Sequence, residues 1–254
     1  MAKAFGVALR NLRRAPAFTG LVVLTLALGI GSTTAMFSVV DAVLINTLPF
    51  PNADRFAEIG TVVNMDGRVA TTRSTTATLL ALRRQTDLFT SVEAYQFNTV
   101  NVTGGGDPEI VASPFVTPGL LSMLSVRPAL GGLSTDEDAA TGHVVLISHS
   151  LWSARYGSDP AIVGRDITLD DEPHRVIGVM PRDFRFPEGN VRIWRPLSVA
   201  PAEKPSRVVI IGVRRPELTA AQVNDRLKTL TSELRASAAI GKTESLGTDV
   251  LVQQ

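Results

Sequence analysis

The chain has 254 residues, an apolar fraction of 44% and 25 basic against 24 acidic side chains. That size and apolar content suffice for one large or two modest folded domains and exclude a disordered chain, while the even charge balance removes the general basic field on which nucleic-acid binding depends. The absence of cysteine excludes disulfides, thiolate metal sites and cysteine nucleophiles together.

The charge is nonetheless unevenly placed. Lys3, Arg10, Arg13 and Arg14 precede Ala15 with no acid among them, and Phe5, Val7, Ala8, Leu9 and Leu12 leave residues 1–14 as either an amphipathic interfacial helix or a flexible tail. From Ala15 to Val40 no residue is charged. As a helix this run spans roughly 39 Å, enough to cross a hydrocarbon core of about 30 Å, so residues 15–46 read as a transmembrane helix with an extension. Basic residues stand only at its N-terminal end. Arg10, Arg13 and Arg14 thus set the topology, with the N-terminus cytoplasmic and everything after Asp41 outside. The rival reading is a cleaved signal peptide with Ser32, Thr33 and Ala35 at the cleavage site, but the apolar run resumes through Met36, Phe37, Val39 and Val40 and exceeds a signal core of about 7–15 residues. Thr25, Gly29 and Thr33 recur at every fourth position, as do Ala27, Gly31 and Ala35. Such rows let helix backbones approach closely in lipid; the alternative is that small residues are simply common in membrane helices.

Pro49, Phe50, Pro51 and Asn52 break the helix. Phe56–Val63 then reads as a strand, Asn64–Arg73 as a polar loop, and Ser74 or Thr75 caps a helix carrying Leu79, Leu80 and Leu82. Val92–Thr103 returns to strand composition. A second set of the same order closes the sequence: strand Arg207–Arg214, a helix opened by the capping box Thr219 and Gln222 and striped by Val223, Leu227, Leu230 and Leu234, Gly241 to end it, and strand Asp249–Val252. Residues 51–103 and 206–254 are therefore expected to pair into one α/β subdomain. Residues 104–205 differ in texture, with short strands and many turns, and read as an insertion. Thr117-Pro118 starts a short helix, Val144–Ile147 is a buried strand leading to a helix with Leu151, Trp152 and Tyr156 ended by Gly157, and Ile167–Leu169 with Arg175–Val179 form a hairpin joined by residues 170–173.

Motifs for chemistry are weak. Gly241-Lys242-Thr243 imitates the end of a phosphate-binding loop, but Ala236 occupies the first glycine position and a helix, not a strand, precedes it. Gly29-Ile30-Gly31 has Thr34 where a dinucleotide loop needs glycine. The three histidines, His143, His149 and His174, match no metal motif by spacing and read as surface or structural residues. The acidic runs Asp136–Asp138 and Asp170–Glu172 lack the alternation and glycine of a calcium loop and read as solvated turns. Phe184, Phe186, Trp152 and Trp194 read as core of the middle region. No catalytic residue, cofactor-binding residue or metal ligand is assigned, and the chain is read as a non-enzyme.

Several segments together resemble one family. Leu12-Arg13-Arg14-Ala15-Pro16-Ala17-Phe18-Thr19, LTLALGIGSTTAMFSVVDAVL (Leu24–Leu44), LPFPNADR (Leu48–Arg55), VTPGLLSMLSVRPALGG (Val116–Gly132), LWSARYGSDPAIVGRDITLDD (Leu151–Asp171) and VIGVMPRDFRFP (Val176–Pro187) resemble MacB-like ABC transporter permeases, nearest to those without a fused ATPase. The resemblance implies an α+β fold: one N-terminal transmembrane helix, a periplasmic split porter-like α/β subdomain (51–103 plus 206–254) and an inserted mainly-β, sabre-like subdomain (104–205). It implies an inner-membrane location and contact with membrane lipid. It also implies the remaining permease helices, a cytoplasmic ABC ATPase subunit and a second copy in a homodimer as partners, with no nucleic acid. The role implied is to couple ATPase action to periplasmic conformational change or efflux; the alternative is a single-pass anchored extracytoplasmic binding or sensor module. In that family further membrane helices follow the core. No second run of about 18 apolar residues occurs here, so the chain is read as a fragment or a truncated product.

Overall fold

The computed structural model describes residues 16–40, 55–65, 68–199, 206–236 and 244–250. They belong to two units, residues 1–49 with 253–254 and residues 50–252. In the first, helix α1 runs from Pro16 to Val40; proline opens it where a helix leaves N–H groups unbonded in any case. Thr25 Oγ1 donates to Leu21 O at 2.7 Å and Thr33 Oγ1 to Gly29 O at 2.6 Å, so these hydroxyls are satisfied within the helix itself. Leu21, Leu24, Leu28 and Ile30 are each more than half exposed. Among the described residues no helix is long and apolar enough to cross a membrane. The sequence of α1 still holds 25 residues without a charge, so the crossing expected from sequence stands as a proposal on sequence grounds alone.

The second unit begins with strand β1 (Phe56–Met65), whose Met65 faces Arg68 of β2 (Arg68–Thr72) in an antiparallel pair. Most of the loop expected at Asn64–Arg73 is thus strand, because Val69, Thr71 and Thr72 favour the extended backbone despite their polar company. After β3 (Ser74–Thr75), Thr75 caps helix α2 (Thr76–Arg83) by accepting the Thr78 N–H at 3.2 Å. The strand expected over Val92–Thr103 is two strands, β4 (Phe89–Gln96) and β5 (Thr99–Thr103), followed by β6 (Glu109–Ala112) and β7 (Phe115–Val116). Helix α3 (Pro118–Met123), β8 (Leu130–Gly131), helix α4 (Asp136–Thr141), β9 (Val144–Ile147) and helix α5 (His149–Tyr156) come next. The acidic run Asp136–Asp138 is therefore the first turn of α4 rather than a loop: Thr135 and Asp138 form a reciprocal capping box, and carboxylates are favoured at a helix N-terminus. Beyond a turn of 3₁₀ helix, β10 (Asp166–Leu169) and β11 (Glu172–Val179) form the expected hairpin, its connection shortened to Asp170 and Asp171. Strands β12 (Ile193–Pro196) and β13 (Arg207–Arg214), helix α6 (Ala220–Ala236) and β14 (Glu244–Val250) complete the order. Gln222 accepts the Thr219 N–H at 2.8 Å in the capping box read from sequence. Pro49–Asn52, Gly241 and the last two residues of the strand expected at Asp249–Val252 lie outside the described residues.

Hydrogen-bonded strands follow the order β14-β1-β13-β4-β7-β12-β9-β11-β10-β5-β6. Strands β14, β1, β13 and β4 derive from both ends of the unit's sequence. Their alternation sorts side chains onto two faces. On one, Ile59, Val92, Val208, Ile210 and Leu246 pack with Leu79 and Leu82 of α2 and with Val223, Leu227 and Leu230 of α6. On the other, Phe56, Tyr95, Val209 and Ile211 pack with Leu120 and Leu121 of α3 and with Phe186 and Trp194. A third cluster, including Val100, Val145, Leu151, Leu169 and Val176, lies within the middle of the sequence. Strand β5 pairs with β6 and β10. That pairing puts Thr99–Thr103 with the middle strands, and the chain changes allegiance at Phe97 and Asn98.

Candidate functional site

The residues read from sequence as functional stand on α1 or before it. Thr25, Gly29, Gly31 and Thr33 are exposed on α1, and a methyl group added at either glycine would meet nothing within 4 Å. The side chain of Ala35, the residues Arg10, Arg13 and Arg14, and the Gly241-Lys242-Thr243 segment lie outside the described residues. The helix before that last segment is α6, as read.

In the second unit a polar groove of about 540 Å³ lies between the end of α2, β4 and the starts of α3 and α4. Arg83 and Glu93 form an ion pair at 2.6 Å in its wall, and Arg83 Nε also donates to Val92 O at 3.0 Å. Gly119 faces the Glu93 carboxylate, and a side chain there would collide with it. Arg83 and Glu93 thus pair with each other in a polar wall that joins helix to sheet. A smaller hollow of about 360 Å³ lies at the start of α5 beside Ser148, Ser150, Arg182 and Arg185.

Three arrangements were invisible in the sequence reading. Arg155 donates to Val102 O, Gly104 O, Gly106 O and Asp107 O at 2.7–3.2 Å, closing the loop between β5 and β6. Arg195 on β12 is buried and lies 4.1 Å over the ring of Phe115, its partner across the β7/β12 pair. Burial pulls that guanidinium below its ordinary pKa, and the aromatic face supplies part of the stabilisation that water would. His143, Glu172 and His174 converge, with the two imidazole centroids 5.6 Å apart, whereas His149 packs edge-on against Trp152 at 5.3 Å. Only the last trio had residue types that hint at a site, and it was hidden because its members meet through strand pairing.

Several solved structures are similar to this fold. The periplasmic region of MacB from Actinobacillus actinomycetemcomitans is 15% identical with a TM-score of 0.57, covering 76% of this chain and 88% of its own. The extracellular domain of the ABC-type transporter YknZ from Gram-positive bacteria is 15% identical with a TM-score of 0.55, covering 75% and 98%. A domain named as part of a permease protein from Porphyromonas gingivalis is 13% identical with a TM-score of 0.58, covering 79% and 90%. No protein of curated function matches the chain. The fold is thus a sheet-rich mixed α/β fold similar to that of the periplasmic region of MacB. The sequence places it more narrowly: the pattern of the MacB-like periplasmic core domain matches residues 19–230, and the chain belongs to that family.

Proposed function

We propose that the chain is the membrane-anchored periplasmic core of an ABC transporter permease subunit. In this reading α1 lies in the inner membrane, the residues before it are cytoplasmic, and the globular unit is periplasmic. It relays movement driven by a cytoplasmic ATPase subunit into periplasmic conformational change or efflux, without chemistry of its own. The observation that carries the reading is the reach of the family match, which begins at residue 19 inside α1 and ends within α6; uncharged helix and globular unit thus belong to one family pattern. The basic residues Arg10, Arg13 and Arg14 support the orientation. The two small-residue rows, Thr25, Gly29 and Thr33 on one side of the helix and Gly31 and Ala35 on the other, are the proposed contacts for the remaining permease helices, in lipid and within a homodimer.

Because the chain lacks cysteine, single introduced thiols report the topology directly. Thr141→Cys, at an exposed position, is expected to react with a membrane-impermeant maleimide in intact spheroplasts, and Lys3→Cys only after lysis. The reverse pattern, or recovery of the chain in the soluble fraction, overturns the topology. For the coupling, capture of the full chain from detergent-solubilised native membranes under nucleotide trapping is expected to recover an ABC ATPase subunit; recovery of none removes that half of the proposal.

A further inference from the structure

Three side chains from two separate stretches of the sequence meet at one end of the β9/β11 pair. Val144 faces Arg175 in parallel register, so His143, one residue earlier, stands beside His174. The Arg175 N–H donates to His143 O at 2.9 Å and holds that register. Glu172 lies two residues before His174 on the same strand, hence on the same face. One donor atom from each of His143, Glu172 and His174 lies within 4.8 Å of the other two.

We propose that His143, Glu172 and His174 bind one divalent first-row transition-metal ion, zinc foremost. Two imidazole nitrogens and a carboxylate are a donor set for zinc and its neighbours, whereas calcium and magnesium call for a shell of oxygens. Ligand atoms around a tetrahedral zinc stand roughly 3.3 Å apart, so donors within 4.8 Å of one another need close by at most about an ångström and a half. His143 and Glu172 are exposed and can turn to do so; His174 is buried and fixed. Its tautomer is fixed too. His174 Nδ1 lies 3.1 Å from Glu172 O, and a carbonyl oxygen only accepts, so Nδ1 carries the proton and Nε2 keeps its lone pair for the ion. A backbone carbonyl on the second ring nitrogen is how protein histidines are commonly oriented toward metals. Three protein ligands leave the fourth position to water. The bound ion ties the strand that feeds α5 to the β10/β11 hairpin.

The test uses the tag-free full chain in detergent, stripped with chelator and titrated with cobalt(II) and then zinc(II). One equivalent of cobalt is expected to give the visible bands of a low-coordinate site, and zinc to displace them. His143→Gln and Glu172→Gln, both at exposed positions, are expected to weaken zinc binding at least tenfold, while His149→Gln leaves it unchanged. His174→Gln is expected to abolish it; if that buried substitution unfolds the chain, the two exposed variants decide alone. Zinc affinity unchanged in both of them, sensitivity to His149 instead, or no saturable binding at micromolar zinc overturns the site.

Discussion

Thr117 shows how one hydroxyl can serve a different element from the one it opens. From sequence, Thr117-Pro118 marks a helix start, and α3 does begin there, yet the Thr117 side chain makes no cap bond to it. It accepts the Ala94 N–H at 2.9 Å and donates to Ala94 O at 3.1 Å, tying the start of α3 to β4. Thr117→Val keeps the shape and leaves a buried N–H unsatisfied, so it is expected to lower stability by about 1–3 kcal/mol, with Thr117→Ser retaining most of it; urea unfolding followed by tryptophan fluorescence measures both. The two tyrosines give a pH test at the same scale. Burial pushes the Tyr95 phenol far above its ordinary value, with Glu58 and Glu188 adding to the rise, and burial raises Tyr156 as well. In the folded chain both keep their protons where the unfolded chain, with phenols near about 10, loses them. Unfolding therefore releases protons above that pH, and stability is expected to fall as pH rises further. A shallower alkaline decline in Tyr95→Phe checks the assignment; an unchanged one removes Tyr95 from it.

Among elements, those written in local signals were legible and those made by pairing were not. The Thr219–Gln222 box and the stripe Val223, Leu227, Leu230 needed only neighbours in sequence, and the three apolar positions are buried in one cluster. Leu227→Ala is expected to cost about 2–5 kcal/mol, read as a shifted urea midpoint. Strand β2 was missed although Asp66-Gly67 stands between paired Met65 and Arg68, a strong hairpin signal outweighed by the polar composition around it. The β10/β11 turn lies between these cases. Asp170 and Asp171 both take positive φ, 49° and 67°, the backbone of a tight hairpin turn that favours glycine at its second position. Asp170 also accepts the Asn101 N–H at 2.9 Å and is best kept. Asp171→Gly is expected to stabilise the chain by roughly 0.5–1 kcal/mol, since it relieves the left-handed strain of a side chain; a lower urea midpoint would contradict this. The approach of His143 to Glu172 and His174, and the Arg155 bonds, join residues that only tertiary pairing brings together, and no local pattern announces them.

For the molecule as a whole, the division proposed is a split α/β subdomain with a middle one inserted, bounded in sequence at 51–103, 104–205 and 206–254. The packing adds two facts to it. Thr99–Thr103 pairs with middle strands, and Phe56, Tyr95, Val209 and Ile211 share a cluster with Leu120, Phe186 and Trp194 of the inserted segment. A core held in common couples the parts, so residues 50–252 are expected to unfold in one step, with Trp194→Ala lowering the single midpoint. Two separate transitions would show independent subdomains.

Strand β1 lies beside β14 with Ala57 opposite Val250, so the start of the one and the finish of the other open at the same end of the ladder. Rungs of an antiparallel pair run across the strands. A tug that draws both ends in the same direction moves the two strands together and loads β1 against β13 lengthwise, where several rungs share the strain. A tug that spreads the ends apart falls on one rung at a time and unzips them.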